Sequence, residues 1–128
     1  MRFANRDHAI VTTLSFARDT RSHVIVGVKA RGVPFVGVVS RHFAKGPDHT
    51  YLVRRDYTKV PCQGLTSTWH RDVATLELRL PARCLSRGNY GAIRVFALTE
   101  TFYGNRDVDW APERSDGDFS FTGWIPRG

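Results

Sequence analysis

Apolar residues recur at every second position along most of this chain, and that period constrains its fold more than any other feature. Successive strand residues point to opposite faces, so apolar–polar alternation marks a half-buried strand, whereas a helix repeats every 3.6 residues. Ile10, Thr12, Leu14 and Phe16 alternate with Val11, Thr13 and Ser15. Val24, Val26 and Val28 share a face opposite Ile25, Gly27 and Lys29. The polar stretch Arg18-Asp19-Thr20-Arg21-Ser22 between them predicts a turn, and so a hairpin joining these first two strands.

The same reading continues. Phe35 to Phe43 follows the breaker Gly32-Val33-Pro34, and Tyr51 to Thr58 follows the turn Lys45-Gly46-Pro47-Asp48. Leu65 to Trp69 is a short strand. Ala74, Leu76, Leu78 and Leu80 alternate with Thr75, Glu77 and Arg79 in the clearest amphipathic strand of the chain. Pro81-Ala82-Arg83-Cys84-Leu85 suits a helical turn, and Ala92 to Phe102 puts apolar residues on both faces. Gly104 to Asp118 reads as a long acidic loop, and Phe119 to Ile125 as a last strand. With no sustained helical period, the expected architecture is all-β: an antiparallel two-sheet β-sandwich, immunoglobulin-like or jelly-roll-like, of about 7–8 strands. Residues 1–128 show no repeat or linker and read as a single domain.

Cys62 and Cys84 are the two cysteines of the chain, with neither CxxC spacing nor neighbouring histidines to suggest zinc. One lies at a loop after Val60-Pro61, the other after the amphipathic strand. A disulfide between them is expected, and with it an oxidising, extracellular or cell-surface setting. Met1-Arg2-Phe3-Ala4-Asn5 carries no apolar signal-peptide core, so the chain reads either as cytosolic or as the mature part of an exported protein. Its longest nearly apolar run, Val33 to Val39, is far short of the roughly 20 residues of a membrane-spanning helix.

In the second half, Cys62, Leu80-Pro81-Ala82-Arg83-Cys84-Leu85, Ala92 to Val95, and Asp107-Val108-Asp109-Trp110-Ala111-Pro112 together form a pattern that resembles small exported β-sandwich domains of actinobacteria. The resemblance implies a secreted β-domain and brings no catalytic residues with it.

The net charge of +7 rests on 16 arginines against 3 lysines. Such a balance favours an anionic partner, although a GC-rich genome also replaces lysine by arginine. Arg54-Arg55 is the one adjacent pair and is a candidate for binding an anion. Within the acidic segment, Asp107, Asp109, Asp116 and Asp118 supply hard oxygen ligands suited to calcium. Ala111-Pro112 interrupts the spacing of a calcium loop, and no cofactor is called for. Trp110, between Asp109 and Ala111, is the aromatic most suited to contact a ligand, with Asp107 and Asp109 beside it. Phe119, Phe121 and Trp124 are expected to pin the C-terminal segment, and Trp69 to join the core.

His8, His23, His42, His49 and His70 show no metal-binding spacing. Ser67, His70 and Asp72 lie too close along the chain to face one another as a triad, and there is no GxSxG. Glycoside hydrolysis needs two carboxylates across a cleft, which a domain of this size has little room to form. No RRM-type aromatic motif or helix-turn-helix pattern supports sequence-specific nucleic-acid recognition. The expected function is therefore a non-catalytic secreted or cell-surface domain that binds a protein or an anionic surface polymer. The alternatives are a small calcium-dependent carbohydrate-binding or hydrolytic domain using the Asp107–Asp118 segment, and a structural or assembly subunit pairing through its edge strands.

Overall fold

Alternation of this kind lets two sheets bury one face each against the other, and the computed structural model has that form. It describes residues 2–16, 22–42, 49–103, 105–111 and 121–128, with 22, 42, 101–103 and 105–111 described by their backbone. The strands are β1 (Arg2–Asn5), β2 (Ala9–Ser15), β3 (Ser22–Ala30), β4 (Val36–His42) and β5 (His49–Arg54). They continue with β6 (Lys59–Val60), β7 (Thr66–His70), β8 (Thr75–Pro81), β9 (Ile93–Tyr103) and β10 (Asn105–Ala111). One sheet has the order β1-β2-β8-β7 and the other β10-β9-β3-β4-β5-β6. Every pairing is antiparallel. Among the described residues the remaining regular structure is three single-turn 3-10 segments, including the helical turn expected over Ala82–Cys84.

The core lies between the sheets. Ile10, Leu14, Leu76, Leu78 and Leu80 come from the four-stranded sheet, and Val24, Val26, Val28, Val38, Leu52, Ile93 and Val95 from the six-stranded one; all are buried. These are the same-face sets that the alternation picks out. Cross-strand pairs reinforce them: Ile10 opposes Leu80 and Leu14 opposes Leu76.

Three expectations are corrected. First, β2 and β3 do not form a hairpin; β2 pairs with β1 and β8, and β3 with β4 and β9. Consecutive amphipathic strands have two ways to bury apolar faces, edge to edge in one sheet or from opposite sheets into one core. This chain uses the second. Second, Asn105–Ala111 is not loop but strand β10, in register with β9 from Asn105↔Tyr103 to Ala111↔Ala97. Its acidic residues obscured a period of two, in which Arg106, Val108 and Trp110 alternate with Asp107 and Asp109. Third, of the expected last strand Phe119 to Ile125, the described residues 121–125 hold a single bridge, Ile93↔Ile125. Residues 18–21, 45–48 and 112–120, with the two predicted turns, Asp116, Asp118 and Phe119, lie outside the described residues.

The chain changes sheet between β2 and β3, between β6 and β7, and between β8 and β9. The disulfide Cys62–Cys84, with a Cα–Cα distance of 5.7 Å, joins the second crossing to the third. Around it, Leu85 is buried, Ala82 N–H donates to His8 O (2.9 Å), and Arg83 donates to Gln63 O. Thr50 of β5 and Ser67 of β7 add a hydroxyl–hydroxyl bond of 2.5 Å between the sheets.

The C-terminal segment is clamped to the sandwich at several points. Thr122 N–H donates to Val95 O (2.9 Å), and Ile93 and Ile125 exchange backbone bonds of 3.0 and 2.7 Å. Asn5, almost fully buried, donates from Nδ2 to Gly91 O and Ile125 O. Arg127 donates to Gly88 O, Tyr90 O and Asp7 O at 2.6–2.8 Å, and its guanidinium lies 4.2 Å from the centre of the Tyr90 ring. Burial raises the Tyr90 hydroxyl above the usual phenol value, and Arg127 partly offsets that rise. Phe121 meets Phe96 edge-on at 5.2 Å, and Trp124 sits with Arg31 and Arg94 each 4.6 Å from its ring centre. The expectation that Phe121 and Trp124 fasten this segment holds. So does the expectation for Trp69, which packs against the core and lies 5.0 Å from Phe16.

Two measurements check these attachments. Replacing Cys62 and Cys84 by serine is expected to lower stability by about 3 kcal/mol, from the freed chain entropy of the unfolded state; paired chemical-denaturation curves read this directly. Arg127→Ala, which leaves three carbonyls without their charged donor, is expected to cost about 2 kcal/mol. In that variant, amide exchange of residues 88–90 should accelerate before exchange at β8 changes.

Candidate functional site

A cleft opens where β4, β5 and β6 of the six-stranded sheet meet the connections before β4 and after β8. Val33, Pro34 and Phe35, which precede β4, form one side, and Cys84, Leu85 and Ser86 form the other. Leu52 and Val60 supply apolar surface between them. The mouth is set by the β5–β6 turn, which brings in Arg54, Arg55 and Asp56. The cleft encloses about 640 Å³.

The local sequence explains the walls. The φ-fixed ring of Pro34 and the left-handed Gly32 (φ 67°) turn the chain out of β3. Val33 N–H bonds to Ala30 O at 3.2 Å, and Lys29 Nζ donates to Val33 O at 2.6 Å, which fixes that wall from below. On the other wall, Ser86 (φ 49°), Arg87 (φ 56°) and Gly88 (φ 83°) are three left-handed residues in succession. Left-handed backbone costs an L-residue roughly 1–2 kcal/mol, and here the disulfide before it and the Arg127 bonds after it hold it in place. Strain of this kind concentrates where a surface has been shaped for a ligand.

The β5–β6 turn is also strained, at Tyr57 (φ 65°). Arg54 N–H bonds to Thr58 O and Tyr57 N–H to Arg54 O, both at 2.9 Å, so the turn is closed on itself. Thr58 hydrogen-bonds the Asp56 carboxylate through its side chain and through its backbone N–H (3.0 Å), and holds it below the ordinary carboxylate value; Arg54 contributes a smaller pull. Asp56 is thus engaged within its own turn, while Arg54 and Arg55 extend into solvent. Two guanidinium groups beside an apolar cleft can fork onto carboxylate or phosphate oxygens while the rest of a ligand covers the hydrocarbon surface. Cys84, bound in the disulfide, is not a nucleophile.

The structure separates the residues singled out from the sequence. Arg54 and Arg55 meet at the cleft. Trp110, Asp107 and Asp109 fall on β10, at the opposite edge of the same sheet, opposite Leu98, Thr101 and Thr99 respectively. Four strand spacings separate β10 from β5, about 19 Å, so these residues and the arginine pair do not form one site. For the calcium set, Asp107 and Asp109 are alternate positions of a strand rather than consecutive loop ligands, while Asp116 and Asp118 lie outside the described residues. Among the described residues no group of three His, Cys, Asp or Glu side chains converges, and no helix is long and apolar enough to cross a membrane.

Sequence reasoning missed the cleft walls. Gly32-Val33-Pro34 registered only as a strand breaker, and Leu85 only as the end of a helical turn. Neither stretch carries a sign that it would face the other across a gap. No family model, curated protein or solved structure matches this chain.

Because the Asp56 value is depressed on folding, its contribution to stability is present above the unfolded carboxylate value, about 3.9. That contribution is lost as pH falls through the lower folded value. An NMR titration should place the Asp56 midpoint below that of an unfolded aspartate. Thr58→Val, which removes the side-chain bond, should move it upward; an unmoved midpoint would show that the backbone bond alone sets it.

Proposed function

We propose that this chain is a non-catalytic binding domain of exported type, which holds an anionic segment of a surface polymer at the end cleft through Arg54 and Arg55. The observation that carries this reading is the placing of the one adjacent arginine pair at the mouth of an apolar-walled cleft. Among the described residues the only carboxylate lining that cleft, Asp56, is already hydrogen-bonded within its own turn. The net charge of +7 supports it, since a positive field raises the local concentration of a polyanion and speeds its arrival. The disulfide supports the exported setting, where oxidising conditions preserve it. The likeness of the second half to exported actinobacterial domains points the same way.

Affinity in this reading comes from charge-assisted bonds at two arginines, each worth about 1.5–3 kcal/mol when formed, and it declines as salt screens them. Arg54→Ser with Arg55→Ser should weaken binding to poly-γ-glutamate or to a glycerol-phosphate polymer at least ten-fold, or about 1.4 kcal/mol. Arg2→Ser with Arg6→Ser removes the same charge from exposed positions away from the cleft and serves as the control. Calorimetric titration at two salt concentrations makes the comparison. Equal losses in both double variants would mean diffuse charge attraction and end the proposal.

A further inference from the structure

The outer face of a solvated antiparallel sheet is ordinarily polar, and on the six-stranded sheet it is not. The registers place Leu98, Ile25, Val39 and Tyr51 side by side on β9, β3, β4 and β5, as one apolar row crossing four strands. On one flank the next row is Glu100, His23, Arg41 and His49. On the other flank it is Phe96, Gly27, Gly37 and Val53, with Lys59 of β6 after them.

The chain covers half of this face itself. Phe96 lies flat over Gly27, where a β-carbon would stand 2.2 Å from its ring, and it stacks with Phe35 at 5.8 Å. Phe121 of the C-terminal segment closes the stack edge-on to both rings. Beyond this aromatic cover the remaining half is a groove of about 320 Å³, floored by Ile25, Val39, Val53 and Leu98. Val39 and Val53 are 7% and 3% exposed although they sit on an outer face, so the floor is sunk below its rim.

That rim is chemically lopsided. Tyr51 carries the Lys59 ammonium 4.5 Å from its ring centre, and Tyr57 stands beside them, 72% exposed on its left-handed backbone. Among the described residues of the rim, Arg41 and Lys59 set two fixed positive charges against one carboxylate, that of Glu100. A concave apolar floor of this volume, with aromatic walls and a few charged groups, is the composition of a small-molecule site.

We propose that this groove is a second binding site, for an amphiphilic monoanion: an alkyl or aryl body lying along the Leu98–Ile25–Val39 row, its one carboxylate, sulfonate or phosphate drawn by the charges of Arg41 and Lys59 on the two flanks. The site is independent of the end cleft and does not rest on the polymer reading. The β5–β6 turn serves both, presenting Arg54 and Arg55 to one and Tyr57 and Lys59 to the other.

The test uses the full chain with anilinonaphthalene sulfonate as fluorescent probe, and with decanoate and decan-1-ol as competitors. Saturable one-to-one binding is expected, with displacement by decanoate at a concentration at least ten-fold lower than by decan-1-ol. Arg41→Glu with Lys59→Glu should weaken both anions at least ten-fold, while Arg2→Ser with Arg6→Ser, exposed and outside the groove, leaves them unchanged. In the unsubstituted protein, decanoate should shift the methyl resonances of Ile25, Val39 and Leu98, a readout that no variant's folding can distort. The proposal is overturned by methyl resonances that do not move, by decan-1-ol competing as well as decanoate, or by equal weakening in the Arg2/Arg6 variant.

Discussion

Two facing sheets share no backbone hydrogen bonds, so their alignment depends on apolar packing and on whatever ties the chain makes where it crosses between them. Here the decisive tie is the Cys62–Cys84 disulfide, because it joins one crossing to another rather than strand to strand. It gathers the start and finish of the β7–β8 excursion at one point. Leu85 is thereby set into the core, the left-handed Ser86–Gly88 turn is anchored at its beginning, and one wall of the end cleft is fixed. The β5–β6 turn meets that wall from the six-stranded sheet. Cys84, one end of the covalent tie, thus stands in a wall of the cleft that faces Val33, Pro34 and Phe35.

Arginine has two occupations in this molecule. Arg31, Arg94 and Arg127 lie against Trp124 and Tyr90, where flat, weakly hydrated guanidinium groups cover aromatic faces. Arg127 also satisfies three carbonyls that would otherwise lack a donor at the junction of the chain ends. Lysine has the charge for these places but neither the plane nor the fork. Part of the excess of arginine over lysine is therefore structural, which makes the exposed pair Arg54-Arg55 stand out more clearly than a count of basic residues does.

The sequence made the sandwich legible because burial on one face writes itself into a period of two. Val24, Val26 and Val28 and the Leu76–Leu80 series are buried as that period requires. Pairing was less legible. The alternation says which face of β2 is buried but not which strands lie beside it, and one of its two neighbours, β8, pairs across sequence separations of 60 to 72 residues. In β10 the acids drew attention to charge and away from the alternation they belonged to. The arginine pair was visible as a pair, whereas its cleft was not, since Val33 and Leu85 belong to separate loops and meet only when both sheets are in place. The outer-face groove was hidden for a related reason: Leu98, Ile25, Val39 and Tyr51 form a row through register alone.

The C-terminal clamp also bears on where the polypeptide is topologically open. Gly128 N–H bonds to Asn5 O at 2.9 Å, and Arg127 reaches Asp7 O across a sequence separation of 120. The first strand and the last residues therefore meet at one spot on the surface. A short linker could join them with little loop-closure entropy, which grows only slowly with length. The same geometry suits insertion: spliced into an exposed loop of a host protein, the domain would leave the host chain's two cut ends nearly where it found them.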